Sequence, residues 1–351
     1  MSLEILKPGL MSTFQDLGRQ QHQGLGIPVA GALDVKAHRL ANLLAGNSAD
    51  LATLEMTLIG ATIRVTSPCC IALSGADLGP TINGFAASMN RPLVLREGDI
   101  VSFDRRQRGA RAYLAVHGGF RLPTVFGSSS TYLRSAIGGF HGRALKQKDV
   151  IQINCILQTS DLELLAQKIW DQKIYLPASL ATLSGARVRI IKSAQWDDFT
   201  VESQANLLTE TFKVTPVSDR MGYRLEGPEL KLSQPRQMIS ESVVFGTIQV
   251  PVSGQAIILL ADRQTTGGYP KIAYVASIDQ PLLAQMLPGD AFNFSLIDIA
   301  EAQKLDLKRE QAFDALERQL EPIRRVLQEA CLSSTLDDQI ENNQEDNQCM
   351  T

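Results

Sequence analysis

The chain carries a weak copy of itself, offset by 185 residues from Asp34 to Asp219. Asp34, Arg39 and Leu40 recur as Asp219, Arg224 and Leu225, Thr62-Ile63-Arg64-Val65 as Thr247-Ile248-Gln249-Val250, and Ala76-Asp77 as Ala261-Asp262. Around Glu55 and Gly60 the offset slips by one, to Glu241 and Gly246. After a short insertion, Pro92-Leu93 and Gly98-Asp99-x-x-x-Phe103 return as Pro281-Leu282 and Gly289-Asp290-x-x-x-Phe294. Matches in this order constrain the chain to two homologous lobes, with a ligand site expected at their junction.

At 351 residues there is room for two or three domains. Hydrophobic residues make up 44% and charged residues 20%, the balance of an ordinary globular chain. A formal net charge of −3 argues against nucleic acid as a partner, because phosphate binding needs a basic surface. Arg105-Arg106-Gln107-Arg108 reads as a short solvated loop. The N-terminus has no basic segment followed by an apolar run. The longest clean apolar run, Ala256 to Ala261, falls far short of the roughly 20 residues of a spanning helix. These features read as a cytoplasmic chain without membrane contact. The five cysteines, with Cys69 and Cys70 adjacent, read as thiols in a reducing compartment.

Short β-branched runs bounded by Gly, Pro, Asn or Asp predict strands at 61–66, 71–74, 93–95, 100–103 and 112–116. The same signals predict strands at 187–192, 246–252, 256–261, 272–276 and 291–297. Asn83-Gly84 predicts a hairpin. Helices are expected from an Asp34 cap through Leu44, from a Ser160 or Asp161 cap through Ile169, and from Asp279-Gln280-Pro281 to before Pro288. Leu305, Phe313, Leu316, Leu320, Ile323 and Leu327 form a last helical stripe, which Pro322 is expected to kink or break. The expected organisation is a strand-rich lobe over 1–155, a linker over 156–186 and a second lobe with a ligand-binding loop over 187–297. A helical extension over 298–332 and a disordered acidic tail over 333–351 follow.

No G-x-x-x-x-G-K-[ST] motif occurs, Gly24-Leu25-Gly26 follows no strand, and no G-x-S-x-G elbow is present. His22, His38, His117 and His141 form no H-E-x-x-H and pair with no closely spaced cysteines, so no metal is expected. His117 reads as a packed histidine. The densest chemical segment runs from Leu260 to Lys271. There Gly267 and Gly268 let backbone N–H groups approach a ligand, and Arg263, Gln264, Thr265, Thr266 and Lys271 add donors. Asp262 is expected to orient Arg263 or act as a base. Such a loop suits a carboxylate, carbamate or phosphate; its purely structural counterpart is a hairpin with a satisfied Asp262–Arg263 pair.

In Ser218 to Leu225, Arg220 and Arg224 flank Gly222 and Tyr223 in a way that suits an anion. Residues present in both copies read as scaffold, so Asp34…Arg39 and Asp219…Arg224 are expected structural pairs. Arg220, matched by Val35, reads as functional. The Gly-rich stretch from Phe14 through Asp16 and Arg19 to Asp34 is either a binding loop or a strap between strands. Glu55 and Glu241 read as a repeated buried carboxylate in need of partners, with Arg39 and Arg224 the expected ones.

Several stretches carry a family likeness. They are Pro8-Gly9-x-x-Ser12-Thr13-Phe14-Gln15-Asp16-x-Gly18-Arg19, Ser74-Gly75-Ala76-Asp77, Gly127-Ser128-x-Ser130-Thr131-Tyr132-x-Arg134, Ser218-Asp219-Arg220-Met221-Gly222 and Ala261 to Pro270. Over roughly residues 3–297 the chain resembles the allophanate hydrolase subunit 2 family. The resemblance implies a mainly β fold of two tandem cyclophilin-like β-barrel lobes, which agrees with the duplicated strand pattern. It implies ATP-dependent opening of 5-oxoproline to glutamate, carried out by a complex of several different chains. The partners would be an allophanate hydrolase subunit 1-like protein, the 5-oxoprolinase B subunit, together with the 5-oxoprolinase A subunit. ATP would be held by this chain or by a partner. Placed on the motif positions, Asp262, Arg263 and Lys271 are the catalytic candidates. Arg220, Gln264, Thr265, Thr266, Gly267, Gly268, Asp16 and Arg19 are the substrate-binding candidates. Two other activities occur within the resemblance: biotin-dependent carboxyl transfer, and antagonism of a kinase inhibitor. The chain has no Met-Lys-Met segment for biotin attachment, which ranks carboxyl transfer below lactam hydrolysis.

Overall fold

The structure is a computed structural model that describes residues 1–158, 161–181, 185–234 and 238–333. The acidic stretch from residue 334 onward, Cys349 and the alternative helix cap Ser160 lie outside the described residues.

The first lobe is built from two packed sheets. One has strands Val150–Gln152, Ser2–Lys7, Thr62–Val65, Ile100–Phe103, Pro80–Ile82 and Phe85–Ala86, in that order. The other has Met11–Gln15, Thr53–Thr57, Arg108–Val116, Cys69–Asp77 and Pro92–Leu95. Leu3, Ile5, Ile63 and Val101 from the first sheet meet Phe14, Met56, Leu73 and Leu114 from the second in one core. The expected Asn83-Gly84 hairpin forms, with φ of 53° and 82° at its two turn residues. The second lobe closes fully. Strands Arg187–Lys192, Lys271–Val275, Thr247–Gln249, Ile257–Leu259, Gly222–Glu226, Thr211–Val214 and Ala291–Leu296 form a barrel around Ile190, Phe212, Ile248, Phe292 and Phe294. The first lobe is thus a pair of sheets, whereas the second is a closed barrel. Strand Cys69–Asp77 explains the difference: eight of its nine residues are buried, because its back is covered by helices. A sheet covered on both faces does not need closure to protect it.

The internal repeat holds in the core strands and fails outside them. Thr62–Val65 and Thr247–Gln249 are both strands, and Gly98-Asp99 and Gly289-Asp290 both turn into strands. By contrast, Asp34 caps helix α1 (Val35–Leu44), while Asp219 opens a turn into a strand. The expected Asp34–Arg39 and Asp219–Arg224 pairs therefore do not form. Asp34 accepts from Ala37 N at 2.9 Å and from Gln285 at 2.8 Å, and Arg39 makes a two-bond fork to Glu310 at 2.8 and 2.7 Å. Asp219 accepts from Met221 N at 2.8 Å.

Among the described residues four more α-helices follow: α2 (Leu162–Trp170, capped by Asp161), α3 (Val201–Thr209), α4 (Gln280–Ala284) and α5 (Ile299–Ala330). Of the kink or break expected at Pro322, the break does not occur: helix α5 is continuous through it. Proline in a helix interior costs about 3 kcal/mol. Phe313, Leu316, Leu320, Ile323 and Leu327 are buried against α1 and the covered sheet, each contributing about 1.5–3 kcal/mol, and so outweigh that cost. No helix among the described residues is long and apolar enough to cross a membrane. Cys155 and Cys331 form a disulfide across the paired strands Cys155–Leu157 and Cys331–Ser333, which corrects the reading of five free thiols. Cys69 and Cys70 remain buried thiols, and burial raises Cys70 to about 12.

His38 gives the first lobe a pH dependence. Its Nε2 lies 3.0 Å from the Ala49 carbonyl and its Nδ1 2.8 Å from Thr53 Oγ1. A carbonyl only accepts, so Nε2 carries the proton and Nδ1 accepts from the hydroxyl. Burial disfavours the imidazolium and pushes His38 down to about 4. The unfolded chain, with a histidine pKa near 6.5, therefore binds the proton first. Stability is full above about pH 6.5 and falls as pH drops towards 4, by on the order of 3 kcal/mol. Denaturant unfolding at neutral and mildly acid pH checks this. His38→Gln should flatten the slope, and an unchanged slope contradicts the assignment.

Candidate active site at the lobe junction

Arg220 is the centre of the junction. It sits in the turn leading into strand Gly222–Glu226, and its guanidinium reaches across to the first lobe. Nη1 donates to Glu55 Oε1 and Nη2 donates to the Gly31 carbonyl at 2.6 Å. Nε and Nη2 each donate to Asp262 at 3.0 Å. Glu55 Oε2 accepts from Tyr113 at 2.7 Å and from Leu33 N at 2.9 Å. Arg220, Glu55 and Asp262 are all buried. Burial opposes the charge on Glu55, but Arg220 and Arg111 outweigh it and hold its carboxyl below the usual range. Burial likewise opposes the charge on Arg220, and Asp262 and Glu55 outweigh it, keeping the guanidinium firmly protonated. One guanidinium shared by two carboxylates leaves Asp262 the less compensated, and burial pushes its carboxyl up. A second polar seam lies alongside: Arg111 donates to Tyr223 Oη at 3.0 Å and to the Ala284 carbonyl at 2.6 Å.

Two adjoining cavities open beside this cluster. One, of about 370 Å³, lies between the lobes against Arg111, Tyr132, Arg220 and Asp262. The other, of about 620 Å³, lies on the barrel side against Arg224, Gln249, Gln264 and Tyr269. Arg134, Asp219 and Met221 line both. Arg134 is carried on the short turn Leu133–Ser135, in the long loop between strands Arg108–Val116 and Val150–Gln152. Its Nη1 lies 3.0 Å from Met221 Sδ. Neither Arg134 nor Arg224 forms an ion pair among the described residues, so both guanidinium groups keep donors for an anionic ligand, with Asp219 in the same walls to set its orientation.

The candidate residues from the sequence divide into three groups. Asp262 and Arg220 meet in the junction cluster. Asp262 does not orient Arg263 through a hydrogen bond: Arg263 Nε donates to the Val243 carbonyl at 3.3 Å and its Nη1 to the Leu260 carbonyl at 3.1 Å. Burial lowers the pKa of Arg263. A second group lies along the ribbon formed by Glu241–Ser242 and Thr266–Gly267. Lys271 is buried there and donates to Glu241 at 2.6 Å, so Glu241 is an exposed partner of a lysine rather than a buried carboxylate. Thr265 offers its carbonyl to Val243 N at 3.1 Å, Gly268 is exposed, and Gln264 lines the larger cavity.

Asp16 and Arg19 form the third group, buried in the strap. Asp16 accepts from Gly18 N at 2.7 Å, Ser128 Oγ at 2.7 Å, Ser129 N at 2.6 Å and Ser130 Oγ at 2.5 Å. Arg19 donates to the Ser130 carbonyl, and its guanidinium feels the charges of both Asp16 and Asp262. Gly138, at φ +68°, has no room for a methyl group, which would overlap that same carbonyl. This network fastens the loop that presents Arg134. Arg134 ends one of the sequence motifs yet carried no expectation as a site residue; its place in that motif was the one signal for it. The partner of Glu55 also differs from the expected one: it is Arg220 and not Arg39.

Comparison with known proteins places the chain in a family. The model of the carboxyltransferase domain, subdomain A and B, matches residues 25–296. The chain belongs to this carboxyltransferase-domain family. It is 35% identical over 315 residues to the C subunit of 5-oxoprolinase from Escherichia coli K12, covering 90% of this chain and 97% of that protein. It is 36% identical over 316 residues to the C subunit of 5-oxoprolinase from Haemophilus influenzae, covering 90% and 98%. Urea amidolyase of Saccharomyces cerevisiae is 27% identical over 337 residues, and the match spans 18% of that longer protein. Among solved structures, the K. lactis urea amidolyase superposes with a TM-score of 0.80 at 27% identity, covering 90% of this chain and 20% of that one.

Proposed function

We propose that this chain is the C subunit of an ATP-dependent 5-oxoprolinase. It would work in the cytoplasm with a B subunit, itself like allophanate hydrolase subunit 1, and with an A subunit. The observation that carries the reading is the near-complete match, 97% and 98% of their lengths, to two proteins named as the C subunit of 5-oxoprolinase. The site chemistry supports it. The substrate is a small anion with a carboxylate beside a lactam; Arg134 lines both cavities and Arg224 the barrel-side one, and neither forms an ion pair among the described residues.

Amide resonance makes the lactam carbonyl a poor electrophile. Its oxygen attacks the γ-phosphorus of ATP and ADP leaves, so the carbonyl carbon now bears a phosphate leaving group. Water adds to that carbon and the C–N bond opens, the nitrogen leaving as the amine, to give γ-glutamyl phosphate; a second water then attacks the same carbon, and phosphate departs with the former carbonyl oxygen to leave glutamate. In this reading Arg134 holds the substrate carboxylate, and Arg224 and Gln264 face the phosphoryl group. The Arg220–Asp262–Glu55 cluster keeps the lobes in register. Arg263, Lys271, Thr265, Thr266, Gly267 and Gly268 shape the wall of the barrel-side cavity from behind.

The test uses 5-oxoproline labelled with heavy oxygen at the ring carbonyl, supplied with ATP to the complex containing this chain. The reading requires glutamate release with the label recovered in inorganic phosphate. Unlabelled phosphate would reject carbonyl phosphorylation, and absence of glutamate would reject the function. The superposition on urea amidolyase favours a second reading, biotin-dependent carboxyl transfer, with biotin arriving on another protein. Bicarbonate- and biotin-dependent turnover without glutamate would select it.

A further inference from the structure

We propose that His117, Cys155 and Cys331 form a binding site for a thiophilic divalent cation, zinc, when the two cysteines are reduced. The three residues are far apart in sequence, and the structure brings His117, one further Cys-bearing strand and the end of α5 together. Their ligand atoms all lie within 4.8 Å of one another, and the group stands apart from the junction. His117 and Cys155 are buried and Cys331 is half-buried.

The histidine is already in the tautomer a metal needs. Its Nδ1 lies 2.7 Å from the Ala45 carbonyl, which only accepts, so Nδ1 carries the proton and Nε2 keeps a free lone pair. A backbone carbonyl holding the far nitrogen is the usual outer support of a metal-bound imidazole. The packing around the site also depends on close approach. Gly118, next to His117 and at φ +77°, brings its backbone against Cys155, and a methyl there would lie 2.6 Å from Cys155 Cβ.

In the oxidised chain the two sulfurs are joined, and neither is a thiolate. A phosphine reductant breaks the S–S bond. It gives up two electrons, water supplies the oxygen of the phosphine oxide, and the two protons of that water go to the sulfurs. Zinc then displaces both thiol protons to solvent and takes two sulfurs at about 2.3 Å and Nε2 at about 2.0–2.1 Å. Such sulfurs sit about 3.8 Å apart in a tetrahedral site, a separation that side-chain rotation supplies. The fourth position is left to water. Imidazole with two thiolates selects zinc over magnesium or calcium, which prefer oxygen. In either state the end of α5 is tied to the first lobe, by the disulfide when oxidised and by the metal when reduced.

The full chain, reduced with a phosphine and stripped with a chelator, is titrated with zinc and separately with cobalt(II). The expected result is one ion per chain, two protons released, and a thiolate-to-cobalt charge-transfer band with tetrahedral ligand-field absorption. The oxidised chain should bind neither ion. Losing an outer-shell partner costs 10–100-fold in metal affinity, so loss of a ligand in His117→Gln or Cys331→Ser should cost more than about 100-fold. Cys331→Ser lies at the edge of the fold and keeps the test valid if His117→Gln unfolds; circular dichroism checks each variant. Reduced wild-type chain that takes up no zinc, cobalt bound without the thiolate band, or a folded Cys331→Ser chain that binds as tightly as wild type would each overturn the site.

Discussion

Arg220→Met is expected to destabilise the chain by about 3–5 kcal/mol, because it removes the guanidinium that two buried carboxylates, Glu55 and Asp262, share. The ion pairs themselves contribute less than this, since burying the charges offsets most of their attraction; the cost arises from stranding the carboxylates. A triple variant, Arg220→Met with Glu55→Gln and Asp262→Asn, should therefore recover most of the loss. The single variant should also show an altered pH response. In wild type the carboxyl of Glu55 is depressed, so its contribution is present at neutral pH and lost as pH falls through its folded pKa. In Arg220→Met the stranded carboxylates are raised instead. They are most stable protonated, and stability falls as pH rises through their folded pKa values. Urea unfolding of the three proteins across mildly acid to neutral pH measures this. A single variant as stable as wild type at neutral pH would remove Arg220 from its place as the clamp between the lobes.

Arg134→Gln should lower kcat/KM for 5-oxoproline by on the order of 10²-fold, the weight of a charge-assisted fork to a carboxylate. The loss is expected mostly in KM if Arg134 holds the substrate equally in the ground and transition states. Stability should scarcely change, because Arg134 is exposed and forms no ion pair among the described residues. Arg134→Lys keeps the charge but not the planar fork, and should recover only part of the activity. Steady-state kinetics of complexes assembled with each variant decide the matter. Wild-type kinetics from the Arg134→Gln complex would exclude this residue from substrate binding.

The local parts of this fold were readable in the sequence because they rest on local physics. Asp34 and Asp161 cap helices as expected, Pro281 opens α4, and Asn83-Gly84 makes its hairpin. The long-range parts were not readable in the same way. Glu55 requires a partner, but Arg220 lies 165 residues away, and the repeat pointed to Arg39 and Arg224 instead. Asp262 and Arg263 are neighbours in sequence, yet their side chains leave the strand end in different directions, one to Arg220 and the other to backbone carbonyls. The apolar stripe of α5 was readable, but the first-lobe surface that it packs on was not, and so Pro322 was expected to kink or break the helix. Cys155 and Cys331, 176 residues apart, are joined by strand pairing that no spacing rule anticipates.

The central claim is that this chain is required to couple ATP cleavage to lactam opening. The most direct measurement is glutamate and phosphate released from 5-oxoproline and ATP by the co-purified subunits, with this chain present and with it left out. The account predicts that the two products appear together, and that both disappear when the chain is omitted. Undiminished glutamate release by the partners alone, or a complete and stable assembly that makes none, would contradict it.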